Sequence, residues 1–168
     1  MPLNLLKKYN QLLDFGAYIE SQRKASLQAI FDRDFAHNPS LAFKNKAIQP
    51  TPKQGEIPLA TLFSHLTTVV TNKATRQRTF DINRSRRLHW VRFHIEENKS
   101  EDVLQFSVRE PEGIRTYIYD KPEKYVIILE PLRKVDEYYL ITAYHLTGKD
   151  AKRNKILKKY KRRLNELH

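Results

Sequence analysis

Between Arg86 and Tyr144, short runs rich in β-branched and aromatic residues alternate with polar turns, and that spacing admits few folds. The clearest run, 136–146, should place Tyr139, Ile141 and Ala143 on one face and Leu140, Thr142 and Tyr144 on the other. Upstream, Leu104, Phe106 and Val108 alternate with Gln105, Ser107 and Arg109. A turn at Pro111 and Gly113 leads to a run in which Arg115, Tyr117 and Tyr119 share a face. The run 125–130 is apolar on both sides, so it belongs at the centre of a sheet. Val91, Phe93 and Ile95 alternate with Trp90, Arg92 and His94 and read as a further strand. Five strands joined by short turns predict an α+β fold: a small antiparallel sheet with helices packed on its apolar face.

Those helices are expected on either side of the meander. Leu5, Leu6, Tyr9, Leu12, Leu13 and Ala17 form one stripe at helical spacing, and Leu27, Ile30, Phe31 and Phe35 form a second. This pair could pack on the domain, on a second copy of the chain as a homodimer, or on a partner. Pro39, Pro50, Pro52 and Gly55 break up residues 37–57, which read as a linker. Residues 1–57 are therefore taken as an N-terminal helical segment with linker, and residues 58–168 as an α+β domain. Pro58 suits a first helical turn and is followed by Leu59, Leu62, Phe63, Leu66 and Val69. His65 lies in this helix and reads as a surface or partly buried imidazole rather than a catalytic one. Lys73, Arg76 and Arg78 then form a basic loop able to touch phosphates, and Ile156, Leu157, Tyr160, Leu164 and Leu167 mark a closing basic helix.

Charge narrows the function. The 168 residues carry a net charge of +12, with Lys and Arg concentrated in two places. Residues 149–168 hold nine against two acids, and residues 73–94 hold seven against one. Clustering of this kind suits a polyanion, RNA above all. Arg84, Arg86, Arg87, Arg109, Lys152, Arg153, Lys158, Lys159 and Arg162 are the candidate RNA contacts. With no cysteine, no run of apolar residues long enough for a membrane span and no signal-like N-terminus, a cytoplasmic protein without membrane contact is expected. Four glycines make no phosphate loop, and no His-Glu-x-x-His or comparable spacing occurs, so neither a metal nor a cofactor is expected.

If the strands register as read, one sheet face carries Arg92, His94, Arg109, Arg115, Tyr117, Tyr119, Thr142 and Tyr144, with His89 and His145 at strand ends. These groups suit metal-independent RNA cleavage. The ribose 2′-hydroxyl must lose a proton, the leaving 5′-oxygen must gain one, and the phosphorane charge must be held by cations or donors. Histidine can move the protons near neutral pH, and arginine can grip the phosphate.

The order Arg-Arg-Leu-His-Trp-Val (86–91), Gly-Ile-Arg-Thr-Tyr-Ile-Tyr (113–119) and Tyr-Tyr-Leu-Ile-Thr-Ala-Tyr (138–144) resembles the phage-associated nucleases of the barnase, EndoU, colicin and RelE-like superfamily. The resemblance spans roughly the C-terminal half. It implies N-terminal helices before a small antiparallel sheet whose open face cuts RNA, tRNA included, usually without metal. It also implies a toxin neutralised by an antitoxin or immunity protein. By resemblance, His89, Arg92, Arg115 and Thr142 carry over as catalytic candidates; His94, Tyr117, Tyr144 and His145 rest on the shared face. The alternative is a non-catalytic nucleic-acid-binding protein using the same surface.

Overall fold

The computed structural model describes residues 2–168. Its centre is a six-stranded mixed sheet in the order β1 (Ala42–Phe43), β2 (Lys46–Pro50), β8 (Glu137–His145), β7 (Tyr125–Pro131), β6 (Gly113–Asp120) and β5 (Val103–Glu110). The last four strands form the expected antiparallel meander. The stretch expected as a linker instead supplies β1 and β2, and β2 runs parallel to β8 from Ala47 opposite Glu137 to Pro50 opposite Leu140. Beyond Leu140, β8 has lost its β2 neighbour.

The run 90–95 forms helix α5 (Trp90–Ile95), not a strand. Leu88, Val91 and Ile95 are buried at helical spacing, as are Trp90 and His94, and Arg92 pairs with Glu96 four residues on (2.9 Å). A short apolar run satisfies both periods, and here tertiary burial decides for the helix. The first expected helix is reduced to α1 (Pro2–Leu5). The chain then turns, with Asn10 at φ 68°, and the Asn4 side chain brackets Asp14 by bonding its carbonyl oxygen and its N–H. Helix α2 (Glu20–Phe31), widening into a π turn at Asp32–Ala36, matches the second stripe. Its Leu27, Ile30 and Phe31 are buried in the chain's own core, so a homodimer through these helices would have to use another face.

Helix α3 (Pro58–Thr67) stops two residues short of Val69. The basic loop expected next is a hairpin of β3 (Thr68–Asn72) and β4 (Gln77–Phe80), followed by the short α4 (Ile82–Ser85). The closing basic helix is split into α6 (Gly148–Lys152) and α7 (Lys155–Lys161), and Leu164 and Leu167 lie outside both. No helix among the described residues is long and apolar enough to cross a membrane.

Both sheet faces are covered. Ile118, Ile127, Leu129, Tyr138, Leu140 and Ala143 pack against Leu27, Ile30, Phe31, Leu62, Leu66 and Trp90. On the opposite face, Phe106, Val108, Tyr117, Tyr119 and Val126 pack beneath Ile156, Leu157 and Tyr160 of α7. A buried ionic cluster pins the first layer: the Asp120 carboxylate receives Tyr9 Oη, Lys99 Nζ (3.0 Å) and His94 Nε2 (2.8 Å). Burial alone would raise the Asp120 pKa, but the hydrogen bonds from His94, Tyr9 and Lys99 outweigh it and hold the carboxyl well below its usual range.

Asp120→Ala should therefore cost about 3–5 kcal/mol in denaturant unfolding, because it leaves His94 and Lys99 facing an empty site. The folded pKa is depressed, so the carboxylate's contribution is complete above the unfolded value of about 3.9 and fades as pH falls below it. The wild-type acid transition should be steeper than that of Asp120→Asn, and equal profiles would refute this role.

Candidate nucleic-acid site at the unpaired edge of the last strand

The expected catalytic residues do not converge. His94 is in the core, with Nδ1 donating to the Trp90 carbonyl oxygen (2.8 Å) and Nε2 on Asp120. His89 is 6% exposed, its Nε2 bonded to the Lys8 carbonyl oxygen, and burial lowers its pKa. Arg92 lies among the N-terminal elements, paired with Glu96 and 3.6 Å from Asp34. Tyr117 sits under α7 and donates to Glu110; burial and that carboxylate push its pKa up. Arg115 is at the far end of the sheet, 3.8 Å from Glu130. His145 turns toward the Glu123 carbonyl oxygen, away from Tyr144. The face expected to be open is filled by the apolar side of α7, because 106, 117, 119 and 126 are large and apolar or aromatic there.

The expected RNA contacts also divide. Lys152, Arg153 and Lys158 are exposed. Lys159 and Arg162 instead clamp α7 to the sheet by pairing with Glu110 (Arg162 at 3.2 Å). Arg87 is 7% exposed, bonded to the Asn83 carbonyl oxygen and lying 5.3 Å from the Trp90 ring. Arg86 is held near Asn83, with a buried Nε that has no partner among the described residues. Arg109 is exposed at the β5 end.

Thr142, Tyr144 and Arg84 do come together, with two residues that the sequence had not singled out as a site. The cause is a bulge: Ile128 pairs with Thr142 but Leu129 with Leu140, so Ile141 is an extra residue in β8. It reverses the alternation, placing Leu140 and Ala143 on the α2–α3 face and Thr142 and Tyr144 on the other. At this point β8 is free of β2, and α3 and α4 lie against it. Asp81 caps α4 by accepting from the Arg84 N–H (2.8 Å), which aims Arg84 back at the strand. Arg84 Nη1 donates to the His65 carbonyl oxygen (2.7 Å) and Thr142 Oγ1 (3.2 Å), and the guanidinium lies 5.5 Å from the Tyr144 ring.

The Ile141 main chain, at the bulge, lies near enough to the His65 imidazole to favour its protonated form. Arg78 is oriented by Thr68, through Nε to Oγ1 (2.8 Å) and Nη2 to the carbonyl oxygen (2.9 Å). His65, Arg78, Arg76, Ser64 and Thr61 line an open cleft of about 650 Å³ between α3 and the hairpin. Glu56, the acid at its rim, is paired with Lys53 (2.8 Å). Burial lowers the His65 pKa, and the charges of Arg78 and Arg84 lower it further. Burial, then Arg78, also lowers that of Arg84. The imidazole is thus neutral near pH 7, beside two guanidinium groups.

Sequence reasoning placed Arg78 near phosphates but passed over His65. The available signal was Thr-Val-Val-Thr-Asn (68–72), a β-branched run that ends the helix at Thr67 and announces a hairpin folding Arg78 back over it. Among the described residues, no group of three or more His, Asp or Glu side chains is placed to hold a metal ion. No protein family, curated protein or solved structure matches the chain.

Replacing Arg78 with alanine should raise the His65 pKa toward the ordinary value of about 6.5, since a repelling charge is removed while burial stays. Imidazole proton shifts followed by NMR across pH 4–9 measure this; an unchanged midpoint would mean the two groups are not coupled.

Proposed function

We propose that the protein is a metal-independent ribonuclease whose cleft between α3 and the β3–β4 hairpin takes the RNA phosphate backbone. The reading rests on one arrangement: the His65 imidazole and the Thr68-oriented Arg78 guanidinium line one open cleft, with Arg84 bonded to the His65 carbonyl oxygen behind them. A neutral imidazole accepts the 2′-hydroxyl proton as that oxygen attacks the adjacent phosphorus. Arg78, whose Nη1 has no partner among the described residues, neutralises the phosphorane oxygens, while Arg84 fixes the His65 backbone from behind. In so open a cleft the departing 5′-oxygen takes its proton from water. The chemistry is that expected from the sequence, but His65 and Arg78 replace His89, His94 and Arg115 as its carriers. A toxin role with an antitoxin or immunity partner remains an implication of the resemblance alone.

The second reading, binding without cleavage, draws on α6 and α7. Lys152, Arg153 and Lys158 are exposed and, among the described residues, without carboxylate partners, so this helical edge can follow a phosphate backbone whatever the cleft does.

Purified protein in EDTA should cut total RNA to products with 2′,3′-cyclic phosphate ends. His65→Ala should slow cutting by about 10²–10⁴-fold while leaving affinity within about two-fold. The acidic limb of the pH–rate profile should lie below about 6.5, where a depressed imidazole gains its proton. Undiminished cutting by His65→Ala would refute the assignment, and tight binding without any cutting would favour the second reading. Changing Lys152, Arg153 and Lys158 together to alanine should flatten the salt dependence of RNA affinity by about two units of slope. Lys159→Ala should instead loosen α7, seen as lower thermal stability, because its partner Glu110 is largely buried.

A further inference from the structure

The β3–β4 hairpin forms a two-stranded sheet apart from the main one. Among the described residues, Phe80, at its base, is the one apolar side chain of the hairpin that joins a hydrophobic cluster. Core packing therefore does not account for the rest of it. From Ile57 to Phe80 the chain carries no acid, while Lys73 and Arg76 stand exposed at the tip. That tip is held in shape, because Asn72 Oδ1 accepts the N–H groups of Ala74 (3.0 Å) and Thr75 (3.2 Å). The two faces of the hairpin differ. Val70 and Arg78 pair across the strands and look into the His65 cleft. Val69 pairs with Thr79 on the reverse, where the Thr71 and Thr79 hydroxyls meet at 3.0 Å and Gln77 shares the face by alternation. Thr71, Gln77 and Thr79 are all exposed.

We infer that this reverse face docks in the minor groove of base-paired RNA, so that the substrate is a strand running out of a stem. The stem lies against Thr71, Gln77 and Thr79, and the unpaired continuation enters the cleft on the hairpin's other side. The inference rests on the reading that RNA is the ligand. A basic ribbon without acids is drawn to phosphates, and its hydroxyl and amide groups both donate and accept. Threonine side chains are short, so they reach only into a shallow groove. The A-form minor groove is wide, shallow and lined by 2′-hydroxyls, whereas its major groove is deep and narrow. The minor groove of B-form DNA, about 6 Å wide, is too tight for two strands side by side. The cleft itself is lined by no Phe, Tyr or Trp among the described residues, so it grips backbone and leaves recognition to a neighbouring surface. Attack by a 2′-hydroxyl also needs a linkage free to turn in line with the leaving oxygen, which a stem denies and its unpaired continuation allows.

Fluorescence anisotropy of the full chain carrying His65→Ala, in EDTA, tests this with an RNA duplex of about 16 base pairs, its unpaired strand and the DNA duplex of the same sequence. The RNA duplex should bind at least about five-fold more tightly than either other probe. Thr71→Val together with Thr79→Val keeps the β-branched shape and removes both hydroxyls, and should bring the two duplexes within about two-fold of each other. Gln77→Ala, at an exposed position, should weaken binding of the RNA duplex and leave that of the unpaired strand within about two-fold. Binding of the RNA duplex no tighter than the other probes, or a preference that survives these changes, would overturn the inference. Duplex preference in a protein whose wild type leaves RNA intact would support it and remove only the ribonuclease reading; cutting without that preference would do the reverse.

Discussion

The architecture depends on a sheet whose inner strands are apolar on both faces. In β6 and β7, Ile118, Ile127 and Leu129 look one way and Tyr117, Tyr119 and Val126 the other, and neither set can be left in water. Two covering layers are therefore obligatory. The N-terminal elements cover one face, and α7 is drawn onto the other by Ile156, Leu157 and Tyr160 and held by Glu110, Lys159 and Arg162. The basic character of that helix is thus only partly available to a ligand.

Once both faces are occupied, the place left for chemistry is an edge. β2 guards the first half of β8, and beyond Leu140 the strand meets α3 and α4 instead. Two of the side chains that gather there are tied to backbone: Arg84 by the Asp81 cap and the His65 carbonyl oxygen, and Arg78 by Thr68. Cations so oriented lose little freedom on meeting a phosphate. Their mutual repulsion favours an anionic occupant.

The meander β5 to β8 was legible because β-branched and aromatic runs alternate with polar turns, and helices α2 and α3 because their apolar residues recur at helical spacing. Residues 90–95 were not, since Val91, Phe93 and Ile95 alternate while Leu88, Val91 and Ile95 also recur at helical spacing; the Arg92–Glu96 pair was the clue that separates the two. The first helix failed for the opposite reason, a helical stripe interrupted by Asn10 and Asp14, which favour turns. The charged and hydroxyl residues expected to share one face met different fates. Tyr117 and His94 found buried partners, whereas Thr142 and Tyr144 stayed near the surface because one unpaired residue turned them there.

That residue, Ile141, makes β8 behave as two short strands spliced out of phase. The segment before it answers to the needs of β2 and the first core, while the segment after it answers to Arg84 and the edge cleft. Each half can exchange side chains under its own alternation rule without disturbing the other. A scaffold partitioned in this manner can vary what it recognises while its foundation stays put.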